Sequence, residues 1–327
     1  MKIPYIPILF TLIILYVAVT TLDWNALFGA FQQADWTFVW YAMVVWVGLV
    51  ALKAFKWQQI VSALHGKISL MESVQILFIA LFISIITPGR LGDFVRAIYI
   101  KEKIPLGKGV LAVVVDRAMD VISLLIFAGV GLILLTRAGG IEIVSPELII
   151  VLILGSIIGL WIILTKRAAR KVFRVFQRFI PTGMRGPLLK HGNSFYDAIP
   201  LFRKNFLQII LAVTASTAAW ILSITFGWFL MLALHLPMEW TVALAVVPIL
   251  ALIEIIPVGV LGIGTREIGA VIVMGAFGAT PEAAIAFSLL FFALGYIPSF
   301  IMGSILFNRK PIPMDGGLAG LAKHLSK

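Results

Sequence analysis

Apolar blocks about as long as the 20 residues a helix needs to cross a bilayer's hydrocarbon core recur along this chain, and they limit its fold more than any other feature. Six stand out: Tyr5–Leu22, Trp36–Phe55, Val110–Leu135, Leu148–Thr165, Phe206–Leu234 and Ala283–Phe307. Hydrophobic residues make up 61% of the chain and charged ones 13%, against about 25% charged in a soluble domain. No water-soluble core could hide so much apolar surface, so the expected fold is an all-α polytopic membrane protein. Lys2 and the apolar run after Pro4 have the outline of a signal peptide. The run is long for one and no small-residue cleavage site follows, so it is read as the first span.

Two further apolar regions are interrupted. Glu72–Ile100 breaks at Thr87-Pro88-Gly89, and Trp240–Phe277 breaks from Pro257 to Gly264. Proline removes a helical hydrogen bond, and in lipid such a break is tolerated only where it is buried in protein or lines a polar cavity. Both regions are expected to be re-entrant hairpins, helix–break–helix, entering and leaving on one side. The architecture is then six full spans plus two broken-helix hairpins.

Charge tests this threading. With the N-terminus inside, the inner loops carry Lys53, Lys56 and Lys67, then Lys101, Lys103 and Lys108, then ten Lys or Arg between Lys166 and Lys204, then Arg309, Lys310, Lys323 and Lys327. The outer loops carry Asp23, Asp35, Glu142, Glu147, Glu239 and Glu282, with Arg137 the one basic residue. This is a strong positive-inside pattern, and it would be spoiled if either hairpin crossed fully. It places both termini on the cytoplasmic side of a cell (plasma) membrane. One hairpin then enters from the inside and the other from the outside, as in inverted-repeat transporters with broken helices. The residue likeness between the halves is slight: Pro-x-x-Leu-Gly-like breaks followed by an arginine and an acid.

A single transmembrane domain, 1–309, is expected: a first half of about 1–165, a basic inside loop 166–204, and a second half 205–309, followed by a flexible tail 310–327. Within the loop, Ala168–Ile180 places Arg170, Lys171, Arg174 and Arg178 on one helical face and aliphatic and aromatic residues on the other, an interfacial helix that either connects the halves or docks anionic lipid. The net charge of +11 is read as topology and anionic-lipid contact, since no nucleic-acid motif accompanies it. A homo-oligomer is compatible with the pattern. Cysteine is absent, and His65, His191, His235 and His324 form no metal-ligand spacing; neither cofactor nor metal is expected.

Nine ionisable residues fall at or near membrane depth, where each costs roughly 3 kcal/mol unpaired. They form three clusters. In the first, Pro88 and Gly89 end a half-helix, Gly92 allows close backbone approach, and Arg90 and Arg96 offer planar forks for carboxylate or phosphate beside Asp93. It is either a structural turn pinned by Arg–Asp pairs or a phosphate-contacting site. In the second, Asp116 and Asp120 share one helical face beside Arg117 and need cations, for which Arg90, Arg96 and Arg117 are the candidates. It reads as a packing network or a transport element. In the third, Glu254 precedes the break at Pro257, and Gly262, Gly264, Arg266 and Glu267 follow it. Glycines there leave amides exposed at a half-helix start, a natural anion site.

The run Thr87-Pro88-Gly89-Arg90-Leu91-Gly92-Asp93-Phe94-Val95-Arg96, the segment Asp116-Arg117-x-x-Asp120, and the stretch Pro257–Glu267 resemble, in order, the motifs of the lysylphosphatidylglycerol synthase transmembrane family. The resemblance covers most of the chain. It implies a flippase-like membrane domain, without the soluble domain that makes aminoacylated phosphatidylglycerol in bifunctional members. Stand-alone relatives are tied to polyprenyl- or dolichyl-linked sugar pathways. No DxD-type nucleotide-sugar site is present, and no enzyme activity is expected.

The function expected is a lipid translocase for a phospholipid or polyprenyl-phosphate-linked lipid. Arg90, Arg96 and Arg266, with Gly89, Gly92, Gly262 and Gly264, would contact phosphate. Asp93, Asp116, Arg117, Asp120, Glu254 and Glu267 would form the polar network. The alternatives are an ion-coupled secondary transporter of a small soluble substrate, and an accessory protein or enzyme of lipid-linked sugar metabolism.

Overall fold

The computed structural model describes residues 24–86, 92–137, 145–163, 165, 194–202, 204–255 and 264–309. Among them every regular element is helical: α1 Trp24–Gln32, α2 Trp36–Ala63, α3 Leu70–Ile86, α4 Val95–Tyr99, α5 Leu106–Arg137, α6 Pro146–Ile163, α7 Phe206–Ala233, α8 Trp240–Ile255, α9 Thr265–Gly275 and α10 Pro281–Arg309. Residues 194–202 are helical as well. Three helices, α2, α7 and α10, are long and apolar enough to cross a membrane. Their outward faces carry large apolar side chains such as Trp40, Val47, Phe206, Leu207 and Ile301, as lipid-facing surface requires. Helix α5 has the length to span, but Asp116, Arg117 and Asp120 stand in its first half. The span expected at Tyr5–Leu22, the interfacial helix at Ala168–Ile180 and the tail lie outside the described residues.

The chain divides into two units that each draw on segments far apart in sequence. The α8–α9 unit comprises Met1–Val50, Ser123–Ile153 and Ala218–Pro298; the α3–α4 unit comprises Ala51–Ile122, Leu154–Thr217 and Ser299–Lys327. The first is built on a core including Ile224, Phe226, Leu230, Met231, Ala243 and Phe287. The second is built on Trp57, Ile60, Val61, Leu64, Leu111 and Ile199.

Local sequence explains how the helices begin and end. Asp35 accepts the Thr37 amide at 2.9 Å and starts α2. Ser69 accepts the Glu72 amide at 3.1 Å and starts α3. Thr280, followed by Pro281, starts α10. Helix α2 closes with His65 at φ 64° and a Gly66 N–H to Val61 carbonyl bond of 3.0 Å; α7 closes with His235 at φ 54° and a Leu236 N–H to Met231 carbonyl bond of 3.0 Å. Both are left-handed caps of the Schellman type.

These parallels follow one register. A shift of 170 positions carries Trp36 to Phe206, His65 to His235, Leu70 to Trp240 and Arg96 to Arg266. It also carries the Gln58 Nε2 to Ile68 carbonyl bond (2.9 Å) onto the Trp228 Nε1 to Met238 carbonyl bond (3.2 Å). Burial follows: Ala42 and Ala212, Ala63 and Ala233, and Ile60 and Leu230 are all fully buried. In each half, a long helix leads through a histidine cap into an apolar helix, and a shorter helix follows later in the chain.

Candidate functional site

In the α3–α4 unit, four elements contribute to one polar cluster. Lys56 and Trp57 come from the second half of α2, Asp93 and Arg96 from the turn before α4 and from α4, Asp116, Arg117 and Asp120 from α5, and Ser216 from α7. Arg96 is 2% exposed. Its Nη1 lies 2.8 Å from Asp116 Oδ2, its Nε donates to the Asp93 carbonyl at 3.3 Å, and its guanidinium rests 4.6 Å above the Trp57 ring. Lys56 Nζ lies 2.8 Å from Asp116 Oδ1 and 2.6 Å from Asp120 Oδ1. Arg117 pairs with Asp93, and Ser216 donates to Asp120 at 3.2 Å. Among the described residues, Lys56, Arg96 and Arg117 thus face Asp93, Asp116 and Asp120, and their mutual attraction offsets the cost of removing each charge from water.

In the α8–α9 unit, Glu254 stands near the end of α8, Arg266 and Glu267 at the start of α9, and Ser288, Phe292 and Tyr296 on α10. Arg266 is 1% exposed. Its Nε donates to Ser288 Oγ at 2.8 Å, its Nη2 to Glu267 Oε1 at 2.7 Å, its Nη1 reaches Glu254 Oε1 at 3.5 Å, and it rests 4.7 Å from the Phe292 ring centroid. The Ser288 hydroxyl in turn donates a hydrogen bond to Glu267 Oε1 at 3.0 Å, and Tyr296 donates to Glu254 Oε2 at 2.8 Å. Glu267 Oε2 accepts the Gly264 amide at 2.6 Å and so ties off the start of α9. Gly264 holds φ 91°, a backbone angle that a Cβ makes costly.

The ionisable residues read from the sequence, Arg90 aside, therefore fall into two buried hubs, each centred on an arginine over an aromatic ring. Asp116 and Asp120 do present one face, and Lys56 bridges them, whereas Arg117 turns to Asp93. Sequence reasoning placed Lys56 among the loop charges because the apolar run ends at Phe55. The signal that could have found it is the helical continuation through Trp57, Ile60, Val61 and Leu64, all fully buried. Trp57, Ser216, Ser288, Phe292 and Tyr296 were also missed, since no motif marks a lone aromatic or hydroxyl. Gly92 packs against α3: a Cβ there would collide with the Ser84 nitrogen and stand 2.7 Å from Ser84 Cα. Pro88, Gly89, Arg90, Pro257 and Gly262 lie outside the described residues.

A curated protein of Haloferax volcanii, named glycosyltransferase AglD, is 25% identical over 86% of this chain and 50% of its own length, so the chain spans about half of that relative. The family model described as the lysylphosphatidylglycerol synthase TM region matches residues 5–303, and this multi-pass membrane protein belongs to that family.

Proposed function

We propose that the protein is a lipid translocase that moves a phospholipid or polyprenyl-phosphate-linked lipid head group across a cell membrane, both its termini being cytoplasmic. The observation that carries the reading is the recurrence of one device: each unit buries an arginine in the first turn of its shorter helix, α4 or α9, stacked on an aromatic ring and paired with carboxylates. Charges this costly in a membrane chain mark ion or head-group pathways. Family membership supports a lipid-related role.

The inverted-repeat reading draws support from an exchange of caps. The Asp35 amide, before α2, donates to the Ala233 carbonyl ending α7 at 2.8 Å, and the Asn205 side chain, before α7, donates to the Ala63 carbonyl ending α2 at 2.7 Å. Asp35 and Asn205 are themselves 170 positions apart. Arg90, Arg96 and Arg266 are the proposed phosphate contacts, Arg90 on the strength of its motif.

The test is reconstitution in liposomes with fluorescent phospholipids and a polyprenyl phosphate, wild type beside Arg90→Ala. Movement of a lipid head group that the variant slows at least about tenfold, roughly one lost charged hydrogen bond, is expected. Uptake of a soluble substrate with no lipid movement would instead favour a secondary transporter. The glycosyltransferase name of the Haloferax relative favours a second reading, a role in lipid-linked sugar transfer, for which sugar incorporation into a polyprenyl phosphate is the readout.

A further inference from the structure

The 170-residue register lets one unit serve as a guide to the other. It carries Arg96 to Arg266 and position 84, on α3, to position 254, on α8. In the α8–α9 unit that position is Glu254, whose Oε1 faces Arg266 Nη1. In the α3–α4 unit it is Ser84, which is buried, uncharged and two heavy atoms shorter. Among the described residues, Ser84 Oγ, Trp57 Nε1 and Arg96 Nη2 are buried without a hydrogen-bond partner. Their residues are 9%, 0% and 2% exposed.

Contacts link the three residues. The Arg96 guanidinium lies over the Trp57 ring. Ser84 backs onto Gly92, next to Asp93, whose Oδ1 stands 3.8 Å from Arg96 Nη2, beyond hydrogen-bond reach. The remaining edges of Arg96 are held by Asp116 and the Asp93 carbonyl. Buried donors without acceptors are uncommon and call for one. An indole N–H, a guanidinium N–H and a hydroxyl together match a charged oxygen.

We propose that the α3–α4 unit binds a phosphate oxygen of a lipid head group against Arg96 Nη2, Trp57 Nε1 and Ser84 Oγ, in the role that Glu254 fills for Arg266 in the α8–α9 unit. The oxyanion chemistry stands on the geometry. The assignment to a lipid rests on the translocase reading.

The test uses the purified full-length protein in detergent, with thermal unfolding followed against dioleoyl phosphatidylglycerol, phosphate-free dioleoylglycerol or inorganic phosphate. Phosphatidylglycerol should raise the midpoint of wild type. Trp57→Phe keeps the ring under Arg96 but loses the N–H, and should need about tenfold more lipid for the same shift. Ser84→Glu supplies the carboxylate of the other unit; it should unfold no earlier than wild type and lose the lipid response. If Ser84→Glu does not fold, Trp57→Phe decides. A wild-type response in both variants overturns the site, as does an equal shift with dioleoylglycerol. A response to inorganic phosphate alone overturns the lipid assignment. Phosphatidylglycerol binding lost in both variants, from a protein that moves no lipid in vesicles, leaves this site standing and removes the translocase reading. Translocation that neither variant alters removes the site and leaves that reading.

Discussion

The two buried hubs meet the same demand, an arginine held in apolar surroundings, with different partners. In the α3–α4 unit three cations and three carboxylates interlock, and Asp116 is shared between Arg96 and Lys56. In the α8–α9 unit one guanidinium serves two carboxylates, with Ser288 and Tyr296 supplying hydroxyls. Both arginines rest on an aromatic ring. What recurs is the guanidinium and its ring. What varies is the source of countercharge, because a carboxylate can reach a planar, five-donor fork from several directions.

The largest expected effect would break or keep this contrast. Arg266→Ala strands two carboxylates and should cost about 3–5 kcal/mol, as removal of one partner of a buried ion pair does. Arg96→Ala should cost roughly half that, because Lys56 stays with Asp116. Unfolding midpoints in detergent compare the two, and equal losses would mean that Lys56 does not compensate.

A smaller effect concerns packing against α3 and α8. A Cβ at Gly303 of α10 would collide with the Phe78 carbonyl oxygen of α3 and stand 2.6 Å from Phe82 Cβ, and one at Gly131 of α5 would stand 2.8 Å from Ala245 Cα of α8. Each Gly→Ala change should destabilise by about 1–3 kcal/mol, Gly303 more than Gly131. The same melting series measures this, and a neutral Gly303→Ala would show that α3 yields.

The smallest effect sharpens the comparison of the caps. His65→Gly removes a side chain from a left-handed position and should stabilise by about 0.5–1 kcal/mol. His235→Gly should gain less, since His235 Nε2 lies 2.9 Å from the Gln33 carbonyl. Equal gains would deny that contact any weight.

Most of the helical plan was legible. Length and hydropathy located α2, α5, α6, α7 and α10, while the proline–glycine runs read as breaks, Gly264 aside, lie outside the described residues. The boundaries moved where polar residues turn out to be interior. Helix α2 runs on to Ala63 rather than ending near Phe55, because Lys56 is satisfied by aspartates and Gln58 by the Ile68 carbonyl, and no hydropathy window records such partners. The repeated Ala-Leu-His at 63–65 and 233–235 was in plain view. It gains meaning only once both histidines are seen at positive φ. Which aspartate meets which cation was not legible either, since residues such as Lys56 and Asp120 are 64 positions apart and rotamers decide the pairing.

The exchange of caps also sets a clock on synthesis. The carbonyl that ends α2 waits for Asn205, 142 residues later, and the Trp46 indole waits for the Gly295 carbonyl, 249 residues later. At translation rates of about 5–20 residues per second, the first delay is on the order of 10 s. For that interval the nascent first half sits with an unfinished helix end, so a pause between the halves should be when it is most exposed to membrane proteases and insertion chaperones.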